Sequence, residues 1–384
     1  MDILILGAGL VGKPIAIDLA KDSSFDVSLA DINKSSLDSA REDYAINTIQ
    51  KDLSNLENVK RLVSNYDLII NALPGFMGYQ TLKAVIEAQK NVVDIAFFEE
   101  DPFQLDALAK KQNVIAVIDC GVSPGMSNIL IGHVHTLLDE TENALILVGG
   151  LPKNRFWPYE YKAVFSPVDV IEEYTRPARY IENGHMVIKP ALSDSEFIDF
   201  DELGTLEAFN SDGLRTLLKT TNVKNMKEKT LRYPGHVEKM RILSESGFFG
   251  QNEINVNGHG IRPIDLTAKL LFPIWKLEEG DIDFTIMRII VEGKKGNKKL
   301  RYTYNLFDTY DETTQTHSMA RTTGYTAAAA ARMIINGIFS KTGISAPEFI
   351  GKKPECVEFM LNGLKEKNVI YKHRVETIDS YSYI

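Results

Sequence analysis

The stretch "DILILGAGLVGKPIAIDLA" (residues 2–20) decides the fold of the amino-terminal half. An apolar strand, "DILIL", runs directly into G-x-G-x-x-G (Gly7, Gly9, Gly12), and an apolar-periodic helix opens at once behind it. Strand, glycine turn and helix in immediate succession is the context in which that spacing serves a dinucleotide. Gly7 permits the tight turn, and Gly9 lets the backbone approach a pyrophosphate. Gly12 lets the helix pack close to the sheet, with Leu10 and Val11 in the turn and the helix N-terminus facing the phosphates. The plainer reading of the same glycines is an ordinary strand–helix turn.

Working outward, short apolar runs alternate with helical patterns as far as residue 120. Strands are expected at 2–6, 26–30, 45–49, 68–73, 91–96 and 114–119, with helical segments such as 79–90 and 102–112 between them. Apolar runs without polar alternation suit strands covered on both faces, so the fold class is α/β with a doubly wound parallel sheet of Rossmann type. Beyond residue 125 the texture changes. Runs at 144–152, 186–191, 253–258, 283–293 and 299–308 read as strands joined by turns, which predicts a second, α+β domain with a mostly antiparallel sheet. "TAAAAARMIINGIF" (326–339) reads as a helix of small residues.

Asp31 ends the second expected strand, 19 residues beyond Gly12. A carboxylate there accepts both ribose hydroxyls and repels a 2′-phosphate, which favours NAD over NADP. Lys34, three residues on, weakens that preference, and a helix cap before "INKSS" is the alternative role for Asp31. Asn71, Ala72, Leu73 and Pro74 close the fourth strand, where open α/β sheets bind ligands, and are candidates for the ribose and nicotinamide side. Asp52 is a candidate for adenine contact or, equally, a turn carboxylate before "LSNLENVKRLV".

Composition bounds the rest. A chain of 384 residues with net charge −9 favours two domains or three and argues against nucleic acid as the main partner. Two cysteines, Cys120 and Cys356, and seven histidines without H-E-x-x-H spacing supply neither a disulfide framework nor a metal site. No apolar run approaches the ~20 residues that span a bilayer, and no basic leader precedes the first strand, so a cytoplasmic protein is expected.

The segments "LILGAGLVG", "VVDIAF", "DCGVSPGMSNIL", "VGGLPK", "FSPVDVIEEYTRPARYIENG", "EAFNSDGL", "LRYPGHVEKMRIL" and "SMARTTGYTAAAAARMI" occur in order along nearly the whole chain. In them the protein resembles the saccharopine dehydrogenase-like oxidoreductases, and within these the lysine 6-dehydrogenase branch. The resemblance implies a Rossmann domain (1–122), a substrate-binding and dimerisation domain (123–317) and a helical segment (318–384) that returns to the first. It implies a homodimer and a substrate cleft between the domains. Where relatives acting on saccharopine carry D-P-G, this chain has Ser123-Pro124-Gly125.

Oxidative deamination of lysine at Cε requires a carboxylate anchor, a deprotonated distal amine and a proton acceptor. Arg215, Arg232 and Arg321 are the candidate anchors, because a guanidinium fork binds both carboxylate oxygens. Each is equally a surface ion-pair residue. Asp94, Asp119 and Glu160 are the available carboxylates, and Asp119 or Asp94 raised by burial serves as base or, alternatively, satisfies loop amides. His236 is the histidine with an intrinsic pKa suited to proton transfer near neutrality. It sits at a helix start after Pro-Gly, and Tyr161 and Lys239 are further candidates. Cys120 reads as a small buried residue. A saccharopine-type or carboxynorspermidine-type reductase and an NAD-binding sensor without turnover are the competing readings.

Overall fold

The computed structural model describes residues 1–41, 46–201, 203–278 and 280–382. Ala45, the first residue of one expected strand, lies outside them. The chain forms two compact units, Met1–Leu137 with Met319–Tyr371, and Leu138–Ser318 with the residues from Lys372 onward.

In the first unit β1 (Asp2–Leu6), β2 (Asp26–Asp31), β3 (Asn47–Gln50), β4 (Leu68–Asn71), β5 (Asn91–Asp94) and β6 (Ile115–Val117) alternate with helices. These are α1 (Gly12–Ala20), α2 (Lys34–Arg41), α3 (Leu56–Val63), α4 (Gly75–Glu87) and α5 (Asp106–Lys111), the last preceded by a 3₁₀ turn at Pro102–Leu105. The strand interiors are apolar on both faces because both faces are covered: Ile3, Leu4, Ile5 and Leu6 are wholly buried. After "GVSPG" the chain continues in the same unit as α6 (Met126–Leu137), although the resemblance places a domain boundary at 122. The reason is packing. A Cβ on Gly132 would stand 2.5 Å from the Glu348 carbonyl oxygen, so this helix lies against first-unit backbone.

The second unit contains β7 (Glu140–Pro152), α7 (Pro167–Thr175), β8 (Ala178–Glu182), β9 (His185–Lys189), β10 (Glu196–Phe200) and β11 (Gly204–Asn210). It continues through α8 (Leu217–Thr220), β12 (Asn225–Arg232), α9 (His236–Glu245), the hairpin β13 (Ile254–Val256) and β14 (His259–Ile261), α10 (Pro263–Trp275), β15 (Asp283–Lys295) and β16 (Lys298–Thr309). Then α11 (Ser318–Ile335), β17 (Gly343–Ser345), α12 (Pro347–Gly351) and α13 (Pro354–Lys365) return to the first unit, and β18 (Tyr371–Thr377) is the last regular element among the described residues.

The first sheet runs β17-β6-β5-β4-β1-β2-β3 and every pairing in it is parallel. The second runs β10-β11-β12-β7-β15-β16-β18, with β8 and β9 attached to β12. It is antiparallel apart from the parallel β12–β7 pair among the registered pairings. Among the described residues no helix is long and apolar enough to cross a membrane.

Candidate functional site

The candidate residues fall into two groups, one in each unit. In the first unit the glycine turn has the geometry its sequence calls for. Gly7 has φ +103°, and a Cβ on it would meet the Ala72 carbonyl oxygen at 2.7 Å. On Gly12 a Cβ would stand 1.9 Å from the Gly7 carbonyl oxygen, whereas on Gly9 it would meet nothing within 4 Å. Gly9 therefore leaves open space over a helix start that no side chain caps and no acid precedes in the first turn. Such an N-terminus suits an anion. Leu10 is half-exposed and Val11 is the N-cap residue of α1.

Asp31 is part of this turn. Its Oδ2 accepts the Ala8 N–H at 2.6 Å and its Oδ1 accepts the Asn33 N–H at 2.8 Å. The side chain that accepts amides at the start of α2 is that of Asn33, which takes the Ser35 N–H at 3.0 Å. Lys34 is engaged by Asp38 at 2.5 Å. Asp52 accepts both the N–H (2.9 Å) and the hydroxyl (2.6 Å) of Ser54, which hold its carboxyl below the usual range, while Asn55 caps α3.

At the carboxyl edge of the sheet Asn71 and Asp94 face each other in register, both wholly buried, with Asn71 Nδ2 donating to Asp94 Oδ2 at 2.7 Å. Leu73 is buried and Pro74 precedes the first turn of α4 as its N-cap residue. Asp119 follows β6, buried and with φ +50°, a left-handed conformation that costs a non-glycine residue energy and concentrates at functional sites. Its neighbours are tethered, since Ile118 N–H donates to Ser345 O at 3.1 Å and Cys120 N–H to Asp94 O at 3.0 Å. Burial, and then the Asp119 charge, push the Cys120 thiol up to about 12, so it is an inert thiol at neutral pH. Arg321, on α11, donates to the Lys367 carbonyl at 2.9 Å and stacks 5.7 Å over Tyr325.

In the second unit Tyr161, Arg232 and His236 come together. His236 is wholly buried, with Nδ1 2.7 Å from the Tyr159 carbonyl and Nε2 2.9 Å from the Tyr174 hydroxyl. A carbonyl only accepts, so Nδ1 carries the proton and Nε2 takes the tyrosine's hydrogen. The Tyr174 oxygen accepts from Arg232 Nε at 3.1 Å, and Arg232 pairs with Glu173 and donates to Leu231 O at 2.9 Å. The guanidinium also lies 4.7 Å over the Tyr161 ring. Burial, and next the Arg232 charge, push His236 down to about 3. That corrects the sequence expectation: at neutral pH this histidine is a fixed acceptor, not a group with a midpoint near 7. Arg232 likewise has its fork engaged by an internal carboxylate.

Glu160 has φ +55° and lies 3.4 Å from Lys239. Arg215, with φ +52°, is buried in the loop between β11 and β12. There Arg179 holds Asp212 through a bidentate pair (2.8 and 2.7 Å), and Gly213 leaves room for the Glu228 carboxylate, whose Oε1 would be 1.8 Å from a Cβ. Sequence reasoning missed Glu173, Tyr174, Asp212 and Glu228. The first two lie in "IEEYTRP" and the last in the charged run "NMKEKTLR", which carries no visible strand alternation.

A parallel sheet ordered 3-2-1-4-5-6 with this turn after its first strand defines a dinucleotide-binding protein of the Rossmann class. The chain belongs to the saccharopine dehydrogenase family of oxidoreductases. The family models described as saccharopine dehydrogenase NADP binding domain and saccharopine dehydrogenase C-terminal domain match residues 3–117 and 121–370. The Schizosaccharomyces pombe saccharopine dehydrogenase (NADP(+), L-glutamate-forming) is 22% identical over 433 residues, covering 90% of this chain and 93% of that one. Mouse mitochondrial alpha-aminoadipic semialdehyde synthase is 24% identical over 272 residues, 65% of this chain but 28% of the mouse protein. The chain thus spans under a third of the length of the synthases it matches. Apo saccharopine dehydrogenase (L-Glu forming) from Saccharomyces cerevisiae shares the fold, with TM-score 0.79 at 16% identity over 98% of this chain and 99% of that one. The description of the amino-terminal model leans towards NADP, against the NAD expected from Asp31.

Proposed function

We propose that this protein is a nicotinamide-dependent amino-acid dehydrogenase that oxidises L-lysine at its ε-amine, with NAD as acceptor. The observation that carries the cofactor reading is the turn at Gly7–Gly12, open at Gly9 and closed at Gly12, with a fixed carboxylate at its side. The nicotinamide, when bound, accepts the hydride from Cε. Asp31 holds a negative charge against the turn, and a 2′-phosphate brought there would meet it. Lys34, the nearest cation in sequence, is engaged by Asp38. These two facts favour NAD despite the family's association with NADP.

The chain's own residues have three tasks: anchoring the amino-acid head, holding the distal amine neutral and taking its proton. Arg215, buried with φ +52° in the loop after β11, is our candidate for the substrate carboxylate. Asp119 is our candidate proton acceptor, because it is a buried carboxylate held with φ +50° just beyond β6 at the carboxyl edge of the sheet. Water then hydrolyses the imine to the semialdehyde, which cyclises. A homodimer is part of the proposal and is tested by light scattering.

Saccharopine as substrate is the second reading, favoured by the similarity to the two yeast saccharopine dehydrogenases. The test is initial-rate dinucleotide reduction with L-lysine and with saccharopine, each with NAD and NADP. Turnover with lysine and NAD supports the proposal. Turnover with saccharopine alone moves the substrate to the secondary amine, and a faster rate with NADP removes the role given to Asp31.

A further inference from the structure

Three loops at the carboxyl edge of the first sheet are joined at their backbones. Ala72 N–H donates to Leu6 O at 2.9 Å, which ties the loop after β4 to the end of β1. Ala72 itself is the wall against which the glycine turn sits. Its carbonyl oxygen limits Gly7, and its Cβ would be 3.3 Å from a Cβ on Gly12. The loop after β5 is tied on by Ile95 N–H, which donates to Asn71 O at 3.0 Å, and it packs closely on α4. A Cβ on Gly78 would stand 2.6 Å from the Ala96 Cβ and 2.8 Å from Phe98 Cδ1.

Between these loops lie two side chains that face one another across β4 and β5. Asn71 Nδ2 donates to Asp94 Oδ2 at 2.7 Å and to Gly78 O at 3.5 Å, while its Oδ1 accepts the Leu73 N–H at 3.4 Å. Asp94 Oδ1 accepts the Ala96 N–H at 2.8 Å. Each side chain thus fixes the amide two residues beyond itself, and the two side chains fix each other. The orientation of the Asn71 amide follows from its partners, because only its oxygen can accept from Leu73 and only its nitrogen can donate to a carboxylate.

From this arrangement we infer that Asn71 and Asp94 form a positioning pair that sets the shape of the glycine turn through Ala72. Neither needs to touch the dinucleotide. The pair holds residues 72–73 and 95–96 at one spacing, and Gly7 and Gly12 then find the Ala72 wall where they require it. Asp94 is accordingly a positioning residue and not a proton acceptor. The inference rests on the cofactor reading proposed above.

Asn71→Ala removes the donor to Asp94 and the acceptor for Leu73. In Asp94→Asn an amide nitrogen must face either Asn71 Nδ2 or the Ala96 N–H, which sets donor against donor. The double exchange, Asn71→Asp with Asp94→Asn, restores the pair with its polarity reversed. The carboxylate now on β4 would accept from the amide now on β5 and from the Leu73 N–H, and the oxygen of that amide would accept from Ala96, only the long 3.5 Å bond to Gly78 O being lost. The readout is the NADH dissociation constant by fluorescence titration, with the thermal midpoint recorded on the same samples. Each single variant is expected to bind NADH about tenfold more weakly, the scale set by one unsatisfied buried donor. The double exchange is expected to return to within about threefold of the unaltered protein. If a single variant fails to fold, Asn71→Ser and the double exchange carry the comparison.

Single variants that bind as the unaltered protein does would overturn the inference, as would a double exchange that folds with a normal midpoint and stays as weak as the singles. If the unaltered protein binds neither NADH nor NADPH, the cofactor reading itself fails, an outcome distinct from both.

Discussion

Replacing His236 by Gln should remove most of one component of the protein's acid sensitivity. The ring is wholly buried, both nitrogens are engaged, and a buried guanidinium bonded to Tyr174 shares that hydroxyl with it. Burial first, then the Arg232 charge, lower its pKa to about 3 from the ordinary histidine value of 6.5. The sign follows from linkage. The unfolded chain takes up a proton near the ordinary value, while the folded chain refuses it until about pH 3. This stabilisation is therefore complete above the unfolded value and is lost as pH falls through the window between the two. At 1.36 kcal/mol per pH unit, going from pH 8 to pH 5 costs about 2 kcal/mol from this one site. The assay is urea unfolding of the unaltered protein and His236→Gln at several pH values. Glutamine does not titrate, so the difference between the two stabilities should shrink by about 2 kcal/mol over that range. A difference that stays constant with pH would refute the reasoning and return His236 to the groups that titrate near neutrality.

Three further outcomes follow from the geometry. A Cβ on Gly12 strikes the Gly7 carbonyl, whereas on Gly9 it meets open space; Gly9→Ala should melt as the unaltered protein does yet bind NADH at least about tenfold more weakly, and Gly12→Ala should lose both, as paired titrations and melts would read. Glu292 is wholly buried, and although desolvation pushes its carboxyl up, donors from Asn143, Arg301 and Ser382 hold it below the usual value. Its stabilisation is present above the ordinary glutamate pKa and lost as pH falls through the depressed one, so Glu292→Gln should cost about 3 kcal/mol in denaturant unfolding at pH 7 and less in acid. Asp31→Ser removes the carboxylate from the turn, and the ratio of kcat/KM for NAD over NADP should fall at least about tenfold.

Much of the first unit was legible because its physics is local. Strands buried on both faces leave unbroken apolar runs, and a glycine turn has a spacing, so β1, β2, β4 and β5 lie close to where the sequence puts them. The second unit hid one of its interior strands. In β12, "NMKEKTLR", Glu228 and Lys229 are both buried, the lysine donating to Asp194 O at 2.8 Å, so hydropathy gives no sign of them. The short β17 was invisible for another reason: three residues, Gly343–Ser345, form a strand only by docking on β6. His236 shows the same limit at the site. Its place at a helix start was readable from Pro-Gly, but its neutrality depends on burial and then on the Arg232 charge, both of which only the fold brings to it.

The central claim is that the nicotinamide takes hydride from the ε-carbon of lysine. It is tested most directly with L-lysine deuterated at Cε, mass spectrometry of the reduced dinucleotide, and lysine deuterated at Cα as the control. The account predicts one deuterium on the reduced NAD from the Cε label and none from the Cα label. Deuterium arriving from Cα, or no reduction with lysine while saccharopine turns over, would contradict it.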